Sequence, residues 1–178
     1  MIDPLITLVS SVSLALLMFM AARHKMSSPT EFKAQLGAYK LLPEFAVSPM
    51  ARLLPIVEMA VFVLILIPAT QPFAAFMSVL LLSTYAVAMI VNMSRGRTDI
   101  DCGCGGQPQV LSVWLVIRNI VLVLGSCLLL APASDRALVW ADTIILVLMT
   151  TALAMVYLLV EQLVRNHSYL DNRSASHG

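Results

Sequence analysis

Two cysteines separated by a single glycine are the residues of this chain best suited to chemistry. Cys102 and Cys104 flank Gly103 and are followed by two further glycines. A disulfide needs a Cα separation of about 4.4–6.8 Å, which residues two apart can reach only in a small, strained ring. Strained disulfides are easily reduced and belong to catalytic or regulatory sites. The pair therefore predicts thiol–disulfide exchange.

The same segment carries a second kind of chemistry. Asp99 and Asp101 lie beside the two thiols and could join them as metal ligands. Structural zinc usually takes nitrogen or sulfur ligands with wider cysteine spacing, and the loop contains no histidine. Copper(I) suits thiolates and methionine sulfur. A metal site, or a turn without chemistry, stays open beside redox exchange.

Composition identifies the class of protein. Of 178 residues, 60% are apolar and 12% are charged, and the mean hydropathy is +0.89, which is typical of a polytopic membrane protein. The net charge of +1 argues against a nucleic-acid partner. We expect one all-α integral-membrane domain over residues 1–178, with the lipid bilayer as its partner.

Five apolar segments are long enough to cross a hydrocarbon core of about 30 Å, and backbone groups in lipid must be satisfied within helices. The predicted spans are 5–22, 53–69, 73–93, 110–131 and 137–160. The Cys loop, 94–109, joins the third and fourth spans. Ser28, Pro29 and Glu31 form a helix-start pattern, which predicts an interfacial amphipathic helix over 29–42 that could cover the Cys loop.

Asp142 lies near the start of the fifth span and can reach the interface, but two other ionisable residues lie deep inside predicted spans, where such residues are costly and a functional reading is the default. Glu58 and Arg118 both lie about 9–12 Å from the side that carries the Cys loop. Equal depth permits a salt bridge between two helices, or a polar site that tunes a thiol or receives a quinone headgroup. Cys127, in the fourth span, is too far along its helix to reach the loop, and we expect it to pack in the core.

The basic residues predict the orientation in the membrane. Only Arg136 falls opposite to the larger group, and by the positive-inside rule the larger group faces the cytoplasm. We therefore expect an inner-membrane protein with its N-terminus outside and its C-terminus, with the Cys loop, in the cytoplasm. The larger group comprises Arg23, Lys25, Lys33, Lys40, Arg52, Arg95, Arg97, Arg165 and Arg173.

Three motifs resemble, in the same order, those of the MauE family of methylamine utilisation proteins, which are redox-associated membrane proteins. They are Tyr39–Pro43, Leu54–Glu58 and Asp101–Gly106. The resemblance covers roughly residues 5–160, and the Cys motif is its most specific part.

The resemblance implies a helper for the maturation of methylamine dehydrogenase, through disulfide formation, processing or export of its small subunit. A thioredoxin-like protein, MauD, is the implied partner. Cys102 and Cys104 would be the redox pair, and Glu58 belongs to the second-span motif. No cofactor is implied with certainty, and a quinone is the candidate. The alternative is a metal-ion (copper or zinc) or small-molecule transporter that uses the Cys loop as ligand.

Overall fold

The computed structural model describes residues 2–97, 100, 111–132, 134 and 136–175, of which 165 and 167–175 are described by their backbone alone. These residues form six helices and no strand, so the all-α prediction is confirmed. The helices are α1 (Pro4–Ser27), α2 (Pro29–Ala38), α3 (Glu44–Ile65), α4 (Gln71–Ser94), α5 (Val113–Leu128) and α6 (Trp140–Ala175).

Four of these helices are long and apolar enough to cross a membrane: α1, α3, α4 and the Trp140–Val164 part of α6. The segment predicted as the fourth span, 110–131, is shorter than expected. Its helix α5 has 16 residues, because Ser112 is the N-cap and the chain turns at Leu129. A helix of that length spans about 24 Å, which is less than a typical hydrocarbon core.

Three other boundaries differ from the prediction in ways that matter for the site. Helix α1 continues five residues past the predicted end at 22, because no glycine or proline interrupts it before Pro29. Helix α3 begins nine residues earlier than predicted and contains both Pro49 and Pro55. Proline is tolerated within membrane helices because neighbouring groups satisfy the freed carbonyls. Helix α2 ends at Ala38, four residues earlier than predicted, and Lys40 follows with φ +47°.

The described residues fall into two compact units, Met1–Arg136 and Ala137–Gly178. The second unit consists of α6. In the first unit, the amide of Ile2 donates to the carbonyl of Pro132 at 3.1 Å, and the amide of Ser134 donates to the carbonyl of Ile2 at 2.8 Å. The start of α1 and the end of α5 therefore share one end of the unit, which we call the terminal end. Helix α2 lies at the other end, which we call the α2 end.

Within the first unit, α3 packs against α1, α4 and α2, whereas α5 packs against α4 and α1. Small residues let the helices approach closely: Ala15, Ala74, Ala75 and Ser78 are at most 1% exposed. They belong to, or lie next to, a core cluster toward the terminal end. A second cluster, toward the α2 end, is built around Tyr39, Met89, Leu111, Leu115 and Val116.

Candidate functional site: a buried charge cluster beside a cavity

A buried ion pair joins α1 to α3. The ammonium group of Lys25 donates a hydrogen bond to Oε1 of Glu58, and the two side chains are 4% and 1% exposed. Taking two charges out of water costs roughly several kcal/mol per ion, unless good geometry and further hydrogen bonds compensate for that cost. A pair at this depth is therefore a candidate functional group as well as a link between helices.

Tyr85 on α4 completes the cluster. Its hydroxyl donates to the same Oε1 of Glu58 at 2.7 Å and accepts from Nζ of Lys25 at 3.1 Å. The ammonium group also lies 4.6 Å from the ring centre of Tyr85 and 5.2 Å from that of Phe32, within the range of cation–π attraction. One carboxylate oxygen thus takes two donors, and three helices meet at one point.

The second carboxylate oxygen of Glu58 is less well satisfied. Oε2 is buried and accepts no hydrogen bond from any residue within the described ranges. A buried carboxylate has room for about four hydrogen bonds, so this cluster is incompletely paired. Incomplete satisfaction of a buried charge is more typical of a working site than of a purely structural bridge.

A cavity of about 220 Å³ opens beside the cluster. Helix α2, the segment that follows it, and α4 form most of its wall, which is almost entirely apolar. Lys25 and Tyr85 contribute to the wall, so the charge cluster forms one side of the cavity. The remaining lining residues are Phe32, Gln35, Leu36, Tyr39, Leu41, Leu42, Met50, Thr84, Ala88 and Met89.

The structure gives Glu58 a different partner from the one that its depth suggested. The sequence predicted a pair with Arg118, but among the described residues Glu58 binds Lys25 and Tyr85. Arg118 lies in α5, which packs on α4 and α1, whereas α3 packs on α1, α4 and α2. Equal depth in the membrane does not make two helices neighbours.

Sequence reasoning missed Lys25 and Tyr85. Lys25 was placed outside the first span, although the absence of glycine or proline between Arg23 and Ser28 indicates a continuing helix. Tyr85 is the one tyrosine in the 73–93 run. A hydroxyl within a span usually needs a partner, and that signal could have identified it.

Cys102 and Cys104 lie outside the described residues, as do Asp99 and Asp101. The residues on either side of the segment 101–110 are described. The amide of Leu111 donates to the carbonyl of Ile100 at 3.2 Å, and both residues pack with Tyr39 and Met89. Ile100 and Leu111, which flank the segment, are therefore joined beside two residues that also line the cavity.

Cys127 corrects another expectation. The sequence placed it in the core, but the thiol is exposed on the surface of α5, and its neighbour Ser126 is the buried residue. Helix geometry turns adjacent residues by about 100°, so the apolar run alone did not show which face is inside. Across the ranges that the structure describes, no group of three or more His, Cys, Asp or Glu could hold a metal ion.

Two of the three motifs that carried the resemblance meet at this site. Tyr39, Leu41 and Leu42 line the cavity, and Glu58 holds Lys25 and Tyr85 in its wall. Residues far apart in sequence therefore form one local environment at the α2 end.

Comparison with known proteins agrees with the family resemblance of these motifs. The family model described as "Methylamine utilisation protein MauE" matches residues 3–132. A protein named methylamine utilization protein MauE from Methylophilus methylotrophus is 37% identical over 123 residues, which are 67% of this chain and 65% of that protein. One of the same name from Paracoccus denitrificans is 40% identical over 125 residues, 68% of this chain and 67% of that protein.

A third relative of that name, from Methylorubrum extorquens, is 36% identical over 126 residues, 70% of this chain and 68% of that protein. The chain thus spans about two thirds of the length of the curated relatives that it matches. No solved structure matches the chain.

Proposed function

Because this chain belongs to the MauE family of methylamine utilisation proteins, we propose that it is a membrane thiol–disulfide helper for maturation of the methylamine dehydrogenase small subunit. Cys102 and Cys104 form the redox pair, and a thioredoxin-like protein, MauD, is the partner that exchanges thiols with it. Exchange passes through a mixed disulfide, in which one thiolate attacks and its neighbour resolves the bond. The chain is then an accessory protein with oxidoreductase chemistry.

One observation carries this proposal: the hydrogen bond between Ile100 and Leu111, beside Tyr39 and Met89. Ile100 and Leu111, which flank the segment that carries Cys102 and Cys104, therefore lie beside two residues of the cavity wall. The thiolate is the reactive form of a cysteine, and we propose that the exchange takes place beside this wall.

The proposed location is the bacterial inner membrane, with the N-terminus outside and the C-terminal tail in the cytoplasm. In the first unit the helices alternate in direction, so Ile100, α2 and Lys25 share the α2 end, and the start of α1 lies at the terminal end. The excess of basic residues lies toward the α2 end, which favours a cytoplasmic α2 end. Reporter fusions at Ile2 and after Gly178 test this orientation.

Serine substitution of the thiols tests the function. We expect Cys102→Ser and Cys104→Ser each to abolish maturation of the methylamine dehydrogenase small subunit, with the helper inserted in the membrane at normal abundance. At least one of them should trap a mixed disulfide with a thioredoxin-like protein on non-reducing gels, because the resolving thiol is missing. Cys127→Ser is the matched control, since that thiol is exposed on α5.

Full maturation with both serine variants would overturn the proposal. Metal content of the purified protein would then test the alternative, a copper or zinc carrier that binds its cargo at the Cys loop. A carrier should lose bound metal in both serine variants, whereas a redox helper should show two interconverting thiol states in membranes.

A further inference from the structure

The cavity at the α2 end has the size of a small ring compound. A cavity of about 150 Å³ lined by aliphatic and aromatic side chains binds benzene in a well-studied case. The present cavity measures about 220 Å³, which leaves room for one ring with several substituents. Its wall is almost entirely apolar, as is typical of sites for small, mostly apolar molecules, and its polar residues are Lys25, Gln35, Tyr39, Thr84 and Tyr85.

The charge cluster determines which net charge a ligand of the cavity can carry. Lys25 and Glu58 are a pair of opposite charge, and the Tyr85 hydroxyl is neutral, so the cluster carries no net charge. An anionic or cationic headgroup would bring an uncompensated charge into a site of low dielectric constant, which is costly. A neutral molecule avoids that cost.

The cluster also offers a hydrogen-bond donor. An ammonium group has three N–H donors, and within the described ranges Lys25 directs two of them at Glu58 and Tyr85. The third is available to an acceptor in the cavity, whose wall Lys25 helps to form. The Tyr85 hydroxyl uses its one proton on Glu58, so within the charge cluster Lys25 is the donor that a ligand would meet.

We propose that this cavity binds the headgroup of a neutral, single-ring quinone with an apolar tail. One ring carbonyl accepts a hydrogen bond from the third N–H of Lys25, and the ring packs between Tyr39 and Met89. The tail leaves where the wall is exposed, at Leu41, Leu42 and Thr84.

This ligand rests on the proposed function, which needs an electron acceptor. Oxidation of two thiols to a disulfide forms one S–S bond, breaks two S–H bonds and releases two electrons and two protons. A quinone takes up both electrons and both protons and becomes a quinol. The step is therefore balanced with no other reactant.

Calorimetric titration of the purified protein with decylubiquinone tests the site directly. The Cys102→Ser/Cys104→Ser protein is titrated beside the wild type, so that binding is measured without redox turnover. We expect both to bind decylubiquinone and neither to bind decanoic acid, whose tail is similar but whose headgroup is anionic.

Two variants address the position of the ligand. Ala88→Leu fills the cavity without touching the ion pair, and we expect binding to weaken by about tenfold or more. The double variant Lys25→Met/Glu58→Gln removes the donor and leaves no buried charge, and loss of one charge-assisted hydrogen bond should also weaken binding about tenfold. Ala154→Leu, at an exposed position of α6, is the matched control and should bind like the wild type.

The inference is overturned if Ala88→Leu and the double variant bind decylubiquinone as tightly as the control, or if decanoic acid competes for the site. Absence of binding in the wild type would also overturn it. Failure of this inference can be told apart from failure of the proposed function. The quinone site stands if decylubiquinone binds here even though the serine variants still support maturation, and it fails if the thiols are required but no quinone binds.

Discussion

The two ends of the first unit differ in how their helices are held together. Toward the terminal end, the helices are packed through alanines, and Ala74 and Ala75 are fully buried between α4 and its neighbours. Toward the α2 end, α1, α3 and α4 meet at a buried ion pair beside a cavity of about 220 Å³. The small residues at one end let the helices approach closely, whereas at the other end polar side chains join the helices.

This contrast indicates where stability and function are separated. Close packing of small residues supplies much of the association energy of membrane helices. A cavity and an incompletely paired carboxylate contribute little stability, and we attribute them to ligand binding. Substitutions at the two ends should therefore have different consequences.

Loss of one partner of the ion pair should have the largest effect. We expect Lys25→Met to destabilise the protein by about 3–5 kcal/mol, because it leaves Glu58 buried without a counter-charge. Adding Glu58→Gln should recover part of that loss, so a double-mutant cycle by detergent unfolding should show coupling. The matched cycle with Arg118→Gln and Glu58→Gln should be additive. Coupling in the second cycle and none in the first would contradict the structure.

Removal of the Tyr85 hydroxyl should have the next largest effect. Tyr85→Phe deletes a donor to a buried carboxylate, and hydrogen bonds to charged groups are worth about 1.5–3 kcal/mol. Ser94→Ala, at an exposed hydroxyl of the same helix, should be close to neutral. Equal unfolding midpoints for Tyr85→Phe and the wild type would show that the hydroxyl does not support Glu58.

Enlarging a small side chain should distinguish the two ends directly. Ala75→Leu at the terminal end should cost about 1–3 kcal/mol through overpacking, whereas Ala88→Leu at the α2 end should be tolerated because the cavity receives the added atoms. Detergent unfolding of both variants is the measurement. A greater cost for Ala88→Leu would reverse the assignment of the two ends.

The surface ion pair at the terminal end should have the smallest effect. Arg136 and Asp3 lie 3.2 Å apart and are 41% and 43% exposed. Exposed pairs are worth about 0–1 kcal/mol, so Arg136→Gln should change the unfolding midpoint little. A change in the unfolding midpoint as large as that caused by Lys25→Met would indicate that the Arg136–Asp3 ion pair stabilises the terminal end.

Hydropathy was sufficient to predict the helical class and most of the spans, because the backbone N–H and C=O groups of an apolar segment in lipid must be hydrogen-bonded within the protein. It was not sufficient at the ends of the helices. Polar residues at 23–25 suggested that α1 had ended, whereas the helix continues and carries Lys25 into the protein. The end of an apolar run marks a change of environment, and the backbone need not change with it.

The site was harder to predict than the fold, for a different reason. Glu58 was identified from its cost in a membrane, but its partner depended on which helices are neighbours. The lengths of the spans and loops do not show which of the helices α1, α3, α4 and α5 are neighbours. Arg118 was therefore paired with Glu58 on the basis of depth alone. The face of α5 that carries Cys127 was also missed, although Asn119 and Ser126, seven residues apart on one face of the helix, mark the buried side.

The central claim is that the cavity and the charge cluster serve the redox chemistry of Cys102 and Cys104. Reduced, purified protein is mixed anaerobically with decylubiquinone, and both protein thiols and quinol are followed with time. We predict one quinol for each pair of thiols lost, with a slower reaction in Ala88→Leu and none in Cys102→Ser/Cys104→Ser. Unchanged thiols in the wild type, or the same rate in Ala88→Leu, would contradict the account.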